Sequence, residues 1–188
     1  MSVSTNDLKN GMTLDLDGTL FQIIEFQHVK PGKGGAFVRT KLRNVKTGAV
    51  LERTFNAGVK VSQAIVERKQ MQFLYADGTD SVFMDLDTYD QIHLPEAVLA
   101  GATRWLAEGA EAQISLHQGV PISIDLPASV VLQITQTDPG AKGDTRTGAL
   151  KPATLTTGAV VQVPLFVEEG EKIKVDTRSG EYIERVKG

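Results

Sequence analysis

Short runs in which apolar and polar residues alternate occupy most of this 188-residue sequence. This period of two is typical of strands that bury one face, and it favours small β-barrels when turn residues separate the runs. Turn signals stand at Asp17-Gly18, Pro31-Gly32 and Thr47-Gly48. The first strands are predicted at 12–16, 19–29, 37–46 and 49–56.

Two further strand sets follow, and one helix interrupts them. The second set is predicted at 65–76, 80–87, 111–118 and 120–126, and the third at 129–137, 158–167, 171–176 and 181–186. Between 87 and 111, Pro95 at a first-turn position and Gly109 at the end predict one helix. Its apolar stripe predicts that Trp105 packs into a core rather than serving as a ligand platform.

The three strand sets predict an all-β chain of three small barrel domains with one short helix in the middle domain. We expect domains at 1–64, 65–127 and 128–188. No Gly, Pro or Ser tract separates them, so the domains should hold a defined shape.

Charge is distributed unevenly along the chain. Residues 1–64 hold nine Lys and Arg against five Asp and Glu, whereas residues 65–127 hold three against ten. A basic end on an acidic protein predicts an anionic partner, most commonly nucleic acid. A solvated strand face remains the alternative from charge alone.

The segment 30–37, Lys-Pro-Gly-Lys-Gly-Gly-Ala-Phe, is the most informative one. Pro31 and the glycines at 32, 34 and 35 supply turn dihedrals, which predicts that Lys33 sits at a hairpin tip. The strand 37–44 would span roughly 26 Å and carry the tip beyond its barrel. Basic residues flank the tip at Lys30, Arg39, Lys41 and Arg43, and the last three alternate on one strand face.

Two other interpretations of Lys33 are weaker. A phosphate-binding P-loop needs Gly-Lys followed by Ser or Thr at the start of a helix, but Gly34 and a strand follow Lys33 here. A carrier lysine bearing a prosthetic group would have small apolar neighbours rather than basic ones. We therefore expect neither a nucleotide site nor a bound cofactor.

Residues 140–157 read as a long open loop, and loops of that length are usually functional or mobile. Lys142, Arg146 and Lys151 favour function, and Gly143, Asp144 and Thr145 could contact RNA. A mobile surface loop is the alternative.

The sequence gives little support for metal binding, catalysis or membrane insertion. The chain has no cysteine and three scattered histidines, and it shows no catalytic motif, so we expect no metal site and no enzyme. No run is long enough to span a membrane and the N-terminus does not resemble a signal peptide, so a cytoplasmic protein is expected.

Two long motifs resemble the bacterial elongation factor P family. The first is Lys30-Pro31-Gly32-Lys33-Gly34 with Ala36-Phe37. The second runs from Gly143-Asp144-Thr145 through Lys151-Pro152-Ala153-Thr154-Leu155 and Val163-Pro164-Leu165-Phe166 to Asp176-Thr177-Arg178-Ser179-Gly180-Glu181-Tyr182. The resemblance covers the whole chain.

The resemblance implies an SH3-like (KOW-like) barrel followed by two oligonucleotide-binding (OB) barrels, arranged in an L that resembles tRNA. It also implies a monomer that binds the 70S ribosome between the P and E sites and relieves stalling at consecutive prolines. Lys33 would reach the peptidyl transferase centre beside P-site peptidyl-tRNA, after modification by a separate enzyme in some lineages.

Further residues are matched to RNA contacts by the same resemblance. Gly143, Asp144 and Thr145, with the adjacent Arg146, match a loop that faces the E-site mRNA codon, and Tyr182 and Arg185 match positions near tRNA or the small subunit. A generic RNA-binding or RNA-chaperone protein is the alternative, although few aromatic residues are present for base stacking. An inactive paralogue or a partner of the modifying pathway also stays open.

Overall fold

The structure, a computed structural model, describes residues 1–140 and 148–188. These residues form three antiparallel-rich sheets of six, five and five strands, which confirms the predicted all-β class. The predicted turns at Asp17-Gly18 and Thr47-Gly48 separate neighbouring strands in the first sheet.

The first sheet has the strand order β1-β6-β2-β3-β4-β5. Its strands are β1 (Ser2–Ser4), β2 (Thr13–Leu16), β3 (Thr19–Val29), β4 (Phe37–Asn44), β5 (Val50–Asn56) and β6 (Lys60–Gln63). The alternation of the sequence becomes alternation of burial, because Val38, Thr40 and Leu42 point inward along β4. A core of Leu8, Leu14, Ile23, Val38, Leu42, Phe55 and Val61 closes beneath this sheet.

The second sheet has the order β11-β10-β7-β8-β9, and the third has the order β14-β13-β12-β15-β16. The second contains β7 (Glu67–Asp77), β8 (Asp80–Asp85), β9 (Gln91–Leu94), β10 (Glu111–His117) and β11 (Val120–Asp125). The third contains β12 (Ser129–Thr137), β13 (Leu150–Leu155), β14 (Val160–Pro164), β15 (Lys172–Asp176) and β16 (Tyr182–Val186). The short strand β9 was not expected from the sequence.

The short helix predicted after Pro95 is present, but the prediction that it runs as one element to Gly109 is wrong. The structure has a four-residue helix, α1 (Glu96–Leu99), and a separate 3-10 helix at Ala102–Trp105. Ala100 at φ 50° and Gly101 at φ 80° both take left-handed conformations, which stop an α-helix. The apolar stripe is still buried, since Val98, Leu99, Ala102, Trp105 and Leu106 are each at most 6% exposed.

The prediction of an open loop over 140–157 is also wrong in its second half. Residues Leu150–Leu155 form β13, which pairs with β14 on one side and β12 on the other. Lys151, Ala153 and Leu155 alternate toward the interior. Lys151 is only 5% exposed, and its Nζ donates to the Asp138 carbonyl at 2.5 Å.

By compactness the chain divides into two units. One comprises Met1–Lys69, Leu94–Ala100 and Ile114–Ile124, and the other comprises Gln70–His93, Gly101–Gln113 and Asp125–Gly188. The second unit contains a core in which Trp105 joins ten buried residues of the third sheet and its connections. The prediction that Trp105 serves packing is therefore confirmed.

Across 1–140 and 148–188, the structure contains no helix with the length and apolar character that crossing a bilayer requires. Over those ranges, no cluster of three His, Asp or Glu side chains is arranged to hold a metal ion.

Candidate functional site

The connection between β3 and β4 presents Lys33 to solvent. The two strands close with the pair Val29 and Phe37, and residues 30–35 beyond this pair are all exposed. Gly34 has φ 106°, a conformation that side-chain-bearing residues rarely adopt, so the turn requires glycine there. Lys33 therefore lies in a tip of glycines and Pro31 that offers it little to pack against.

The base of the tip is held by a third strand and by a side-chain hydrogen bond, unlike that of an isolated two-stranded hairpin. The strand β4 pairs with β3 on one side and along its length with β5 on the other, ending at the pair Phe37 and Asn56. Beyond that pair, the Ala57 amide donates to the Ala36 carbonyl at 3.0 Å. The fully buried Thr5 donates its hydroxyl to the Asn56 carbonyl at 2.8 Å. A three-stranded ribbon thus carries the tip.

Three cations lie on the outer face of β4 behind the tip. Arg39 and Lys41 are exposed, and Arg43 is half-buried because its Nη2 donates to Gln22 Oε1 at 2.6 Å. The register places Lys41 between Glu25 on β3 and Glu52 on β5.

Arg39 differs from Lys41, since its cross-strand neighbours are the uncharged Gln27 and Thr54. A shallow groove of about 180 Å³ runs over this region. It is lined by Glu25, Phe26, Gln27, Arg39, Thr40, Lys41 and Glu52. The outer face is therefore mixed in charge, and its uncompensated positive charge is greatest at Arg39, on the tip side of Lys41.

The residues that the family resemblance matched to an mRNA-facing loop lie within 141–147. Gly143, Asp144, Thr145 and Arg146, and also Lys142, lie outside the described residues. Lys151 is described, and its burial removes it from the surface that could meet a phosphate.

The two C-terminal residues lie on β16. Tyr182 is partly buried against the core of the third sheet, whereas Arg185 reaches the surface. The Arg185 guanidinium lies over the ring of Phe166, with Cζ 5.2 Å from the ring centroid. Its Nη1 lies 3.1 Å from Glu171 Oε1. The C-terminal motif contains Phe166, but the sequence predicted it within a strand at 158–167 and gave it no role, whereas the structure ends β14 at Pro164.

Three family models together match most of the chain. They describe the elongation factor P KOW-like domain (residues 4–61), the elongation factor P OB domain (66–124) and the elongation factor P C-terminal region (130–185). Curated proteins with the same name match at full length. One from Acidothermus cellulolyticus is 60% identical over 97% of both chains, and one from Pelotomaculum thermopropionicum is 55% identical over 98% of this chain and all of its own.

The chain belongs to the elongation factor P family. Membership makes it a translation elongation factor, as the motifs around Lys33 and residues 143–182 predicted. A solved structure of a translation initiation factor 5A from Methanococcus jannaschii is also similar, with a TM-score of 0.52 and 28% identity. The match covers 66% of this chain and 92% of that one. A second translation factor therefore has a similar fold over that part of the chain.

Proposed function

We propose that this elongation factor P family member binds the 70S ribosome between the P and E sites and stimulates peptide-bond formation at consecutive prolines. The observation that carries the proposal is the exposed Lys33 at a tip that a three-stranded ribbon supports. A cation at the end of such a projection suits a narrow RNA cleft, because the paired strands that carry it are already ordered before it enters.

In this proposal Lys33 acts by positioning. Its ammonium offers three hydrogen-bond donors and one charge, which suit the phosphates and hydroxyls at the end of P-site peptidyl-tRNA. Holding that tRNA in a reactive geometry accelerates a slow nucleophile such as proline without covalent participation of the factor. The exposure of residues 30–35 also leaves Lys33 accessible to a separate lysine-modifying enzyme.

We assign the outer face of β4 to the tRNA acceptor stem. Lys30 and Arg39 would supply the strongest phosphate contacts, because Glu25 and Glu52 flank Lys41. Arg43 would contribute less, since Gln22 already accepts one of its donors. The acidic neighbours would also restrict the places where a phosphate can settle, which helps to fix the register of the factor on the tRNA.

The remaining assignments follow the family resemblance. We propose three working domains, 1–64, 65–127 and 128–188, which the three family-model ranges support. Gly143, Asp144, Thr145 and Arg146 would meet the E-site mRNA codon, and Tyr182 and Arg185 would lie near tRNA or the small subunit. The factor would act in the cytoplasm as a monomer, without a cofactor.

Reconstituted translation of a reporter with three consecutive prolines tests this function. We expect native protein to relieve the stall, Lys33→Ala to be inactive, and both to unfold at the same urea concentration because an exposed tip adds little stability. Lys46→Ala, which removes another exposed lysine in the turn between β4 and β5, is the matched control and should stay active. Recombinant protein without modification shows whether the bare lysine suffices.

The opposing outcomes are distinct. Equal activity of native protein and Lys33→Ala would overturn the role of the tip. Binding to RNA without any effect on proline stalling, by native as well as recombinant protein, would instead indicate a generic RNA-binding protein.

A further inference from the structure

Phe166 is an exposed aromatic residue that the family signature contains and that the proposed function does not use. It follows β14 in the connection to β15, and 60% of its surface is exposed. The neighbouring residue Val167 is fully buried in the core, so the backbone beside Phe166 is anchored while its ring faces outward. A ligand that covered this ring would gain the free energy of removing its apolar surface from water.

Arg185 lies over the face of this ring. Its guanidinium carbon lies 5.2 Å from the Phe166 centroid, which is a cation–π distance. Glu171 accepts a hydrogen bond from Arg185 Nη1 at 3.1 Å with Oε1, and its Oε2 accepts the Glu168 amide at 2.9 Å. The Glu168 amide therefore orients the Glu171 carboxylate, and the carboxylate orients the Arg185 guanidinium. The Arg185 side chain remains 39% exposed.

An open groove lies beside Arg185. The groove is lined by Gly170, Glu171, Lys172, Arg185, Val186, Lys187 and Gly188. Lys172 and Lys187 are exposed there, while Glu171 already has its partner in Arg185. Glu168 and Glu169 are also exposed on the preceding turn and would repel a phosphate from that side. The arrangement therefore admits an anionic chain along the groove and a planar group at its end.

We propose that Phe166 and Arg185 form a stacking platform for one unpaired RNA base, with the flanking phosphates on Lys172 and Lys187. Unpaired bases stack on aromatic rings and on guanidinium planes, and this pair supplies one of each in contact. An apolar peptide would use the ring but would have no need of the fixed guanidinium or of the two lysines. The inference deepens the proposed function, on which it rests, by adding Phe166 and the class of ligand at this surface.

Nuclear magnetic resonance titration of the isotopically labelled full chain tests the platform directly. The probes are an oligoadenylate RNA hexamer and an abasic ribose-phosphate hexamer of the same charge. We expect the oligoadenylate to shift the Phe166 ring and the Arg185 side-chain signals, and the abasic probe to leave the ring signals in place. Phe166→Leu, which keeps apolar bulk without the ring, should weaken oligoadenylate binding at least about fivefold.

Two further variants sharpen the test. Arg185→Lys keeps the charge but lacks the planar guanidinium, so it should weaken binding of the oligoadenylate more than binding of the abasic probe. Val131→Ala alters an equally apolar exposed residue on β12 and should leave binding unchanged. Equal shifts with both probes, full affinity of Phe166→Leu, or no oligoadenylate binding would overturn the platform.

A photo-crosslinking benzoylphenylalanine in place of Phe166 identifies the partner on the ribosome. Crosslinks to RNA support the platform, whereas crosslinks to ribosomal protein alone overturn it. The proline reporter separates the two proposals, because failure of the platform leaves stall relief by native protein intact. If the reporter showed no stall relief while the base-dependent shifts persisted, the proposed function would fail and the platform would stand.

Discussion

Trp105 lies beside Gly180, where a methyl group on the glycine would be in van der Waals contact with the ring, 3.4 Å from Cζ2 and 3.6 Å from Cη2. The Trp105 ring comes from the 3-10 helix before β10, yet it is part of the core formed by β12–β16. A hydrogen bond also joins the 3-10 helix to the connection between β13 and β14, since Thr157 donates its hydroxyl to the Arg104 carbonyl at 2.5 Å. The segment around Trp105 therefore completes the core of the third sheet.

Replacing Trp105 should destabilise the unit that contains this core. Trp105→Ala removes a large side chain that is 6% exposed, and we expect the free energy of unfolding to fall by about 3–5 kcal/mol. Trp105→Phe keeps most of the apolar surface and should cost less than half as much. Urea unfolding followed by circular dichroism measures both, since the chain has no other tryptophan for fluorescence. Unchanged stability of Trp105→Ala would contradict its place in the core.

The β3–β4 connection was predictable because two signals both indicate a hairpin: the alternating pattern of the flanking strands and the Pro and Gly residues between them. The break at Ala100-Gly101 was missed because the apolar spacing continues across it. The strand β13 was missed because it contains a buried lysine and Pro152, both of which argue against an interior strand. In both of the missed cases tertiary packing overrides the local pattern.

The charge environment of Lys41 could not be predicted because it depends on a bulge. The register of β3 against β4 shifts between Ile23 and Glu25, so Ile24 has no partner and Glu25 lies opposite Lys41. An unshifted ladder would place Ile24 there. The sequence contains all three residues but does not show where the ladder slips, and that position decides which cation of β4 has an acidic neighbour on β3.

Gly140 should resist substitution for a steric reason. A Cβ at this position would overlap the Leu165 backbone carbonyl oxygen, which cannot rotate away as a side chain can. We expect Gly140→Ala to lower the free energy of unfolding by about 1–3 kcal/mol. Gly35→Ala is the matched control, because open space surrounds Gly35 and its φ is not left-handed. Equal urea midpoints for the two variants would refute the steric account.

Asp176 should make stability depend on acid. Its Oδ1 accepts the Ser179 amide at 2.9 Å and the Arg178 amide at 2.8 Å, and these bonds hold the pKa of the carboxyl below its ordinary value. A lowered pKa stabilises the folded state above the ordinary pKa, and this contribution is lost as pH falls through the lowered value.

Asp176→Asn isolates this charge, because asparagine keeps an oxygen acceptor. Wild type should be more stable than Asp176→Asn above about pH 5, and the difference should shrink as pH falls below about 4. Urea unfolding at a series of pH values gives the comparison, with Asp90→Asn as the control for net charge. A difference that is independent of pH would show that the carboxylate charge has no role in the turn.

Thr5 should hold the base of the Lys33 tip. Thr5→Val keeps the shape of the buried side chain but removes its hydrogen bond to the Asn56 carbonyl, and we expect a loss of about 1–2 kcal/mol. Hydrogen exchange of the Ala57 amide, which bonds to Ala36 beside the tip, should become faster. The exposed Thr54→Val on β5 is the control and should change neither quantity. Unaltered exchange in Thr5→Val would mean that the tip base is held by strand pairing alone.

Lys151 provides a test of structural against RNA-binding roles for a basic residue of the C-terminal motif. Its stem is buried and its ammonium donates to the Asp138 carbonyl, so Lys151→Ala should lower the free energy of unfolding by about 2 kcal/mol through lost packing and the lost hydrogen bond. Lys151→Met retains the packing and should recover more than half of that loss. Because Lys151 does not reach the surface, Lys151→Met should also leave the salt dependence of ribosome binding unchanged, whereas loss of a phosphate contact would reduce it. A reduced salt dependence with wild-type stability would show that Lys151 leaves its buried site to bind RNA.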